Sequence, residues 1–329
     1  MYTFWCEQNE RDGKMKLLNL FNLTDQQRTE LAKLGDVQVI EPADLNSENS
    51  SEIDVIYGWG KQAPDVLNKS ANLKLVQSFS AGVDYMPLSE FAKKGVTLTN
   101  VSGIHAEPIS ESVLGYVLAF ARGMVASQAA RSEKKWVGDQ IRMQNYILKD
   151  RTAVIFGTGR IGQAIAEKLQ MFGTKTIGVS RHGRPADHFD EVVTDTEGTD
   201  KAAKADFVIN IMPLTAETKH FFNKQFFDKM SSHPVFINVG RGPSVDTNAL
   251  IDALDQYKLA GAALDVFEAE PLESDSPLWD MDNVILTPHI SGGFKDYGNE
   301  AFTILYKNLA SFIKTGEVAV NKVDLSAGY

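Results

Sequence analysis

Four polar groups in the second half of the chain, an arginine, two acids and a histidine, have the types and placement for acid–base chemistry beside a bound cofactor. Residues 157–162 read Gly-Thr-Gly-Arg-Ile-Gly and follow the apolar run TAVIF directly. Further on, NVGRGPSVD (238–246) carries Arg241, ALDVFEAEPL (263–272) carries Asp265 and Glu270, and ILTPHISGG (285–293) carries His289. Each of these three segments ends a run that reads as a strand. In a doubly wound sheet the carboxyl ends of strands face the binding crevice, so the topology predicts that these side chains converge. A guanidinium offers a forked, charged pair of donors. A histidine, whose ordinary pKa lies near neutrality, is suited to acid–base work, and a glutamate beside it would favour and orient its charged form.

The Gly-rich stretch has a distinct task. Gly157 permits a tight turn, Gly159 lets the backbone approach a pyrophosphate, and Gly162 allows a helix to lie close on its strand. Thr158, Arg160 and Ile161 fill the turn and open the helical pattern RIGQAIAEKLQMFG, whose N-terminus would offer free N–H groups and a positive dipole end. The next strand, TKTIGVS, should end at the adenosine ribose. An acidic residue is the usual NAD signature there. This chain instead has Ser180-Arg181-His182-Gly183-Arg184, and its first acid is Asp187. Ser180, Arg181 and Arg184 suit a 2′-phosphate, so NADP(H) is the preferred cofactor, with NAD(H) second.

The elements that must position these groups alternate. MKLLNLF, DVQVI, EIDVIYG, LKLVQSFS and VTLTN read as strands, with the helix TDQQRTELAKLG after the first, capped by Thr24 and stopped at Gly35. SGIHAEPISESVLGYVLAFARGMV reads as one long, largely apolar helix of the buried kind, at a domain or subunit boundary. A second series follows: TAVIFG, TKTIGVS, DFVINIM, PVFINVG, AGAALDV and VILT as strands, with helices over 160–172, 224–230 and 246–258 and a last one over 294–314. Strands alternating with helices predict an α/β protein with two Rossmann-like, doubly wound parallel sheets.

Five stretches match one pattern in order and spacing: SAGVDYMP (80–87), GTGRIG, NVGRGPSVD, LDVFEAEPL and TPHISGG. In them the chain resembles the D-isomer-specific 2-hydroxyacid dehydrogenases, particularly NADP-type glyoxylate and hydroxypyruvate reductases, over nearly all of its length after Met15. The resemblance implies a substrate-binding domain of 1–103 plus 295–329, with 1–14 an extension, and an inserted NAD(P)-binding domain of 104–294. It implies Arg241, Glu270 and His289 as the catalytic trio. It makes Asp265 the contact to the nicotinamide carboxamide and adds Pro213, Val239, Gly240, Arg241 and His289 to the cofactor contacts. The Ala81–Gly82 N–H groups resemble the loop that grips the substrate carboxylate, alongside Trp59, Arg241 and His289; Trp59 and Lys61, in YGWGKQ, are otherwise a packing residue and a solvated one.

The activity implied is reduction of small 2-keto acids to D-2-hydroxy acids. An NAD-dependent D-lactate- or phosphoglycerate-type dehydrogenase is the alternative. Phosphoglycerate ranks lower because YGWGKQ offers only Lys61 where many relatives place an arginine. A dinucleotide-binding corepressor is the alternative of another class, disfavoured by the acidity of the chain.

Composition sets the outer bounds. The 329 residues are 43% hydrophobic and 23% charged, which suggests two domains. A net charge of −10 argues against nucleic acid and anionic membranes as partners. One cysteine, Cys6, excludes an intramolecular disulfide and a multi-cysteine metal site, and fits a reducing compartment. No histidine spacing suggests a metal. No apolar run reaches membrane length, and no signal pattern opens the chain. A cytoplasmic homodimer is the expectation.

Overall fold

The computed structural model describes residues 14–35 and 37–326. Residues 1–13, with Cys6 and most of the expected extension, lie outside the described residues.

Short apolar runs build two parallel sheets. In the first, Met15–Asn19 (β1), Val37–Ile40 (β2), Val55–Tyr57 (β3), Leu75–Gln77 (β4) and Thr97–Thr99 (β5) lie in the order β2-β1-β3-β4-β5. Leu17 pairs with Val39 on one side and Val55 on the other. Alternate side chains face opposite ways, so each sheet face gets its own core. Leu18, Ile56, Val76 and Leu98 pack with Val66, Phe91 and Val323 on one face; Leu17, Val55, Tyr57 and Leu75 pack with Leu305, Leu309 and Phe312 on the other. Helix Asp25–Ala32 starts as expected at Thr24. The Thr24 hydroxyl accepts from the Gln27 N–H, and the Gln27 side chain accepts from the Thr24 N–H, a reciprocal cap.

The second sheet has seven strands: Thr152–Phe156 (β6), Lys175–Val179 (β7), Glu191–Val193 (β8), Phe207–Asn210 (β9), Val235–Asn238 (β10), Gly261–Leu264 (β11) and Val284–Leu286 (β12). Their order is β12-β11-β10-β9-β6-β7-β8, all parallel. Order reverses between β6 and β9, which makes that junction the switch point where a doubly wound sheet binds its ligand. Strands buried on both faces need continuous apolar runs, and β6, β9, β10 and β11 are buried almost throughout.

By contacts the described chain divides into two units: one runs to Ile104 and resumes at Lys295, the other is His105–Phe294. The long helix expected near 101–126 is two. Helix Ala106–Ala121 ends, Gly123 takes the left-handed conformation at φ +66°, and Met124–Ser132 sets off at 68°. Glycine adopts that conformation without strain, and a Cβ there would lie 2.3 Å from Ile141 Cγ2. The sequence reading also misses strand β8 and helices Gly138–Gln144 and Asp195–Ala202. No single helix among the described residues is long and apolar enough to cross a membrane.

Candidate active site

Strands β10, β11 and β12 are neighbours in register, with Asn238 opposite Leu264 and Leu264 opposite Leu286. The segments carrying Arg241, Asp265 with Glu270, and His289 therefore leave adjoining strands at one edge.

Glu270 and His289 meet directly. His289 Nδ1 lies 2.8 Å from Glu270 Oε2, with the histidine side chain 54% and the glutamate 36% exposed. The other carboxylate oxygen, Oε1, accepts from the Phe267 N–H at 2.9 Å, so Glu270 is pinned to its own loop while it holds the ring. His289 has φ +54°, uncommon for a residue with a Cβ. The surroundings over-determine it. Its own N–H donates to the Asp265 carbonyl at 2.8 Å, and the loop on both sides is tied to the Asp265 carboxylate.

Asp265 is buried, and both its oxygens are committed to the chain. Oδ1 accepts from Thr287 Oγ1 at 2.7 Å and from the Ile290 N–H at 2.9 Å. Oδ2 accepts from the Ser291 N–H at 3.0 Å and from the Ser291 hydroxyl. The resemblance implies a carboxamide contact for this residue; in the structure its carboxylate anchors the loop that carries His289. Tyr116 OH reaches the same network, 2.8 Å from Thr287 Oγ1.

Arg241 is half-buried in extended backbone, with Nη1 donating to the Gly240 carbonyl at 2.8 Å. Its main chain is fixed from below by three buried polar side chains. Asn210 Nδ2 donates to Asn238 Oδ1 at 2.9 Å and to Ser244 Oγ at 2.7 Å, and Ser244 Oγ donates to the Arg241 carbonyl at 2.6 Å. Asn238 Oδ1 also accepts from the Gly240 N–H at 3.2 Å. Buried polar side chains must be paired, and here the pairing shapes the turn. Gly242 lets the next loop close on this one: a Cβ there would lie 1.8 Å from the Phe267 carbonyl oxygen. Asn210, Asn238 and Ser244 were missed in the sequence, although an asparagine ending each of two otherwise apolar strands was a visible signal.

The turn after β6 fits a dinucleotide at each glycine for a different reason. Gly157 has φ +116°, and a Cβ would sit 2.9 Å from Ile211 Cγ2. At Gly162 a Cβ would lie 2.0 Å from the Gly157 oxygen, which is the close packing of helix Arg160–Met171 on its turn. Gly159, the helix N-cap, has an ordinary φ of −73° and nothing within 4 Å of its Cβ position. Only this glycine faces open space, as the residue nearest a pyrophosphate should. Thr158, Arg160 and Ile161 complete the turn and the helix start. Ser180 follows β7, and Arg181, His182 and Arg184 are exposed on a turn closed by the Gly183 N–H to the Ser180 carbonyl at 3.1 Å. Pro213 is exposed beyond β9, and Val239 is buried at the end of β10.

Trp59, Lys61, Ala81 and Gly82 belong to the other unit. Trp59 packs edge-on to Phe91 at 5.2 Å, and Lys61 is exposed. The loop after β4 engages its carbonyls: Asn100 Nδ2 donates to the Ala81 oxygen at 2.9 Å, and Ser80 Oγ to the Gly82 oxygen at 2.8 Å. Among the described residues, no group of three or more His, Cys, Asp or Glu side chains is placed to hold a metal.

Residues 114–291 match the family model for the NAD binding domain of D-isomer specific 2-hydroxyacid dehydrogenases. The glyoxylate reductase of Thermofilum pendens is 34% identical over 257 residues, 76% of this chain and 75% of its own. The solved NADPH-dependent glyoxylate/hydroxypyruvate reductase of Sinorhizobium meliloti, in complex with NADP and sulfate, is 32% identical over 96% of this chain and 100% of its own, with a TM-score of 0.81. The solved phosphoglycerate dehydrogenase of Lactobacillus plantarum is 40% identical over 94% and 100%, with a TM-score of 0.57. The chain belongs to the D-isomer specific 2-hydroxyacid dehydrogenase family.

Proposed function

We propose that this chain reduces small 2-keto acids, such as glyoxylate and hydroxypyruvate, to D-2-hydroxy acids with NADPH as the preferred reductant. The observation that carries the proposal is the Glu270–His289 pair at 2.8 Å, beside the Arg241 turn and in the same unit as the Gly-rich turn. Relatives and structural neighbours named for glyoxylate and hydroxypyruvate reduction support it.

Arg241 binds the substrate carboxylate and draws electron density from the carbonyl oxygen. In the other unit, Ala81, Gly82 and Trp59 are the residues the family resemblance offers for substrate binding. When bound, NADPH supplies the hydride that the carbonyl carbon accepts. His289 then has one task. Glu270 occupies Nδ1, so Nε2–H gives its proton to the developing alkoxide oxygen, and the neutral ring stays in place as the Nδ1–H tautomer. Asp265 acts at one remove, by holding the loop. The turn 157–162 takes the pyrophosphate, Pro213, Val239 and Gly240 line the path to the nicotinamide, and Ser180, Arg181 and Arg184 take the 2′-phosphate. In this reading unit 105–294 is the cofactor domain and the other unit the substrate domain.

The test is a panel of 2-keto acids assayed with NADPH and NADH separately, in wild type and in Ser180→Asp/Arg181→Ala. Wild type favours NADPH and the double variant favours NADH. A wild type that uses NADH equally well refutes the cofactor assignment, and absence of turnover with every keto acid refutes the enzyme. The 40% identity to a phosphoglycerate dehydrogenase favours a second reading, an NAD-dependent dehydrogenase of phosphoglycerate or D-lactate type; phosphohydroxypyruvate and pyruvate in the panel decide it. The protein is proposed to be cytoplasmic and a homodimer. Supporting the dimer are Trp136, 99% exposed, and Met124, Met143 and Ile147, also exposed, in the short-helix region after Gly123.

A further inference from the structure

The end of β7 offers a hydroxyl and two cations and no acid, yet a carboxylate reaches it from another strand. The segment after β9 is folded on itself. Thr218 Oγ1 donates to the Pro213 carbonyl at 2.7 Å, and the Thr215 N–H donates to Thr218 Oγ1 at 2.7 Å. Within that turn Thr215 Oγ1 donates to Glu217 Oε2 at 2.8 Å, and the same oxygen lies 3.5 Å from Arg181 Nη2. Strands β7 and β9 flank β6 on opposite sides, so the two loops meet over the carboxyl end of β6. A search for an acid along the sequence after β7 passes over Glu217, because topology and not sequence proximity brings it there.

We infer that Glu217 is a specificity-determining residue: it holds the preference for NADP over NAD below the level that Ser180, Arg181 and Arg184 would set without it. The inference rests on the proposal that those three residues face the 2′ position of the adenosine ribose. Two effects act in one direction. Glu217 competes for the guanidinium that a 2′-phosphate needs, and its negative charge repels that phosphate. Neither effect penalises NAD, whose 2′-hydroxyl can donate to a carboxylate. The hydrogen bond from Thr215, the Glu217 N–H and the charge of Arg181 hold the Glu217 carboxyl below its usual range, so it stays ionised. Both partners are exposed, at 64% and 69%, and solvent screening limits the effect to about two- to fivefold. Added salt reduces it further.

The test needs no turnover. NADP⁺ and NAD⁺ are titrated calorimetrically into the full chain, as wild type, Glu217→Gln, Arg181→Ala and the double variant. Glutamine keeps an acceptor for Thr215 and removes only the charge. Glu217→Gln is expected to tighten NADP⁺ binding about two- to fivefold and to leave NAD⁺ unchanged or weaker, with a smaller gain in the Arg181→Ala background. If Arg181→Ala weakens NADP⁺ more than NAD⁺ while Glu217→Gln leaves their ratio unchanged, the role of Glu217 is overturned and the phosphate site stands. If Arg181→Ala moves both cofactors alike, the phosphate site itself is refuted and the role of Glu217 falls with it.

Discussion

Gly242→Ala is the most incisive perturbation of the proposed chemistry, although residue 242 contacts no substrate in the mechanism above. Its Cβ would lie 1.8 Å from the Phe267 carbonyl oxygen and 2.7 Å from the Glu268 nitrogen, and such contacts essentially never fall below 3.0 Å. Both neighbours are backbone, so no rotamer relieves the clash, and the two loops must part by at least about 1.2 Å. One loop carries Arg241. The other pins Glu270 through the Phe267 N–H, and Glu270 orients His289. A misplacement of about 1 Å at reacting groups costs on the order of 100-fold in rate. The expected result is a kcat/KM for glyoxylate roughly 100-fold below wild type, with the dissociation constant for NADPH changed by a much smaller factor, because the turn 157–162 and the Ser180–Arg184 segment are untouched. Gly115→Ala, in an exposed helical position with nothing within 4 Å, serves as control and should leave activity intact while stabilising the fold by about 0.5–1 kcal/mol. A Gly242→Ala variant that keeps a third or more of wild-type activity would refute the claim that this close approach sets the catalytic geometry.

Gly159→Ala should leave Tm unchanged, since the backbone is ordinary and the space is open, yet weaken cofactor binding at least tenfold; equal binding by titration would remove the pyrophosphate from this turn. Asp265→Asn leaves two donors of the His289 loop without an acceptor, at roughly 1.5–3 kcal/mol each. At about 2–4 °C per kcal/mol for a unit of this size, calorimetry should show Tm lowered by at least 6 °C, and an unchanged Tm would mean the loop does not depend on the carboxylate. His289→Ala should lower turnover by about 10²–10⁴ with NADPH binding retained, and near-normal turnover would rule it out as the acid. Arg241→Lys keeps the charge and loses the fork, so KM should rise and kcat fall together; a change in thermal stability alone would make the residue structural.

Most of the architecture was legible because buried parallel strands write themselves as apolar runs. TAVIF, FVIN and VFIN need no tertiary context to be recognised as strands. What escaped had a weak or misleading local signal. Strand β8 is three residues long at a sheet edge and begins with Glu191. Helix Asp195–Ala202 is polar, though Thr194 and Glu197 form a capping box that the sequence displayed openly. The break at Gly123 was hidden by apolar residues on both sides, which continue a helical pattern whether or not the backbone does. At the site, residue types and strand ends pointed to side chains that the structure places after adjoining strands. Their partnerships were not readable: Glu270 and His289 are 19 positions apart, and only the adjacency of β11 and β12 joins them. The commitment of Asp265 to its own loop depends on four donors whose directions no sequence pattern encodes.

The last helix, Tyr297–Thr315, completes the sheet that opens the chain, and this has a consequence for the order of events during synthesis. Asn308 Nδ2 donates to Gln77 Oε1 at 2.9 Å in a buried network with Thr99, and Leu305 and Leu309 cover Leu17, Val55 and Leu75. Strands β1–β5 thus leave the ribosome with one apolar face bare. Residues 105–294 must be made before the cover arrives, which takes on the order of 10–40 s at roughly 5–20 residues per second. The inserted unit is continuous and has no such wait. The nascent chain therefore matures from the middle outward, and the first hundred residues, though made earliest, are the stretch most in need of a chaperone while they wait.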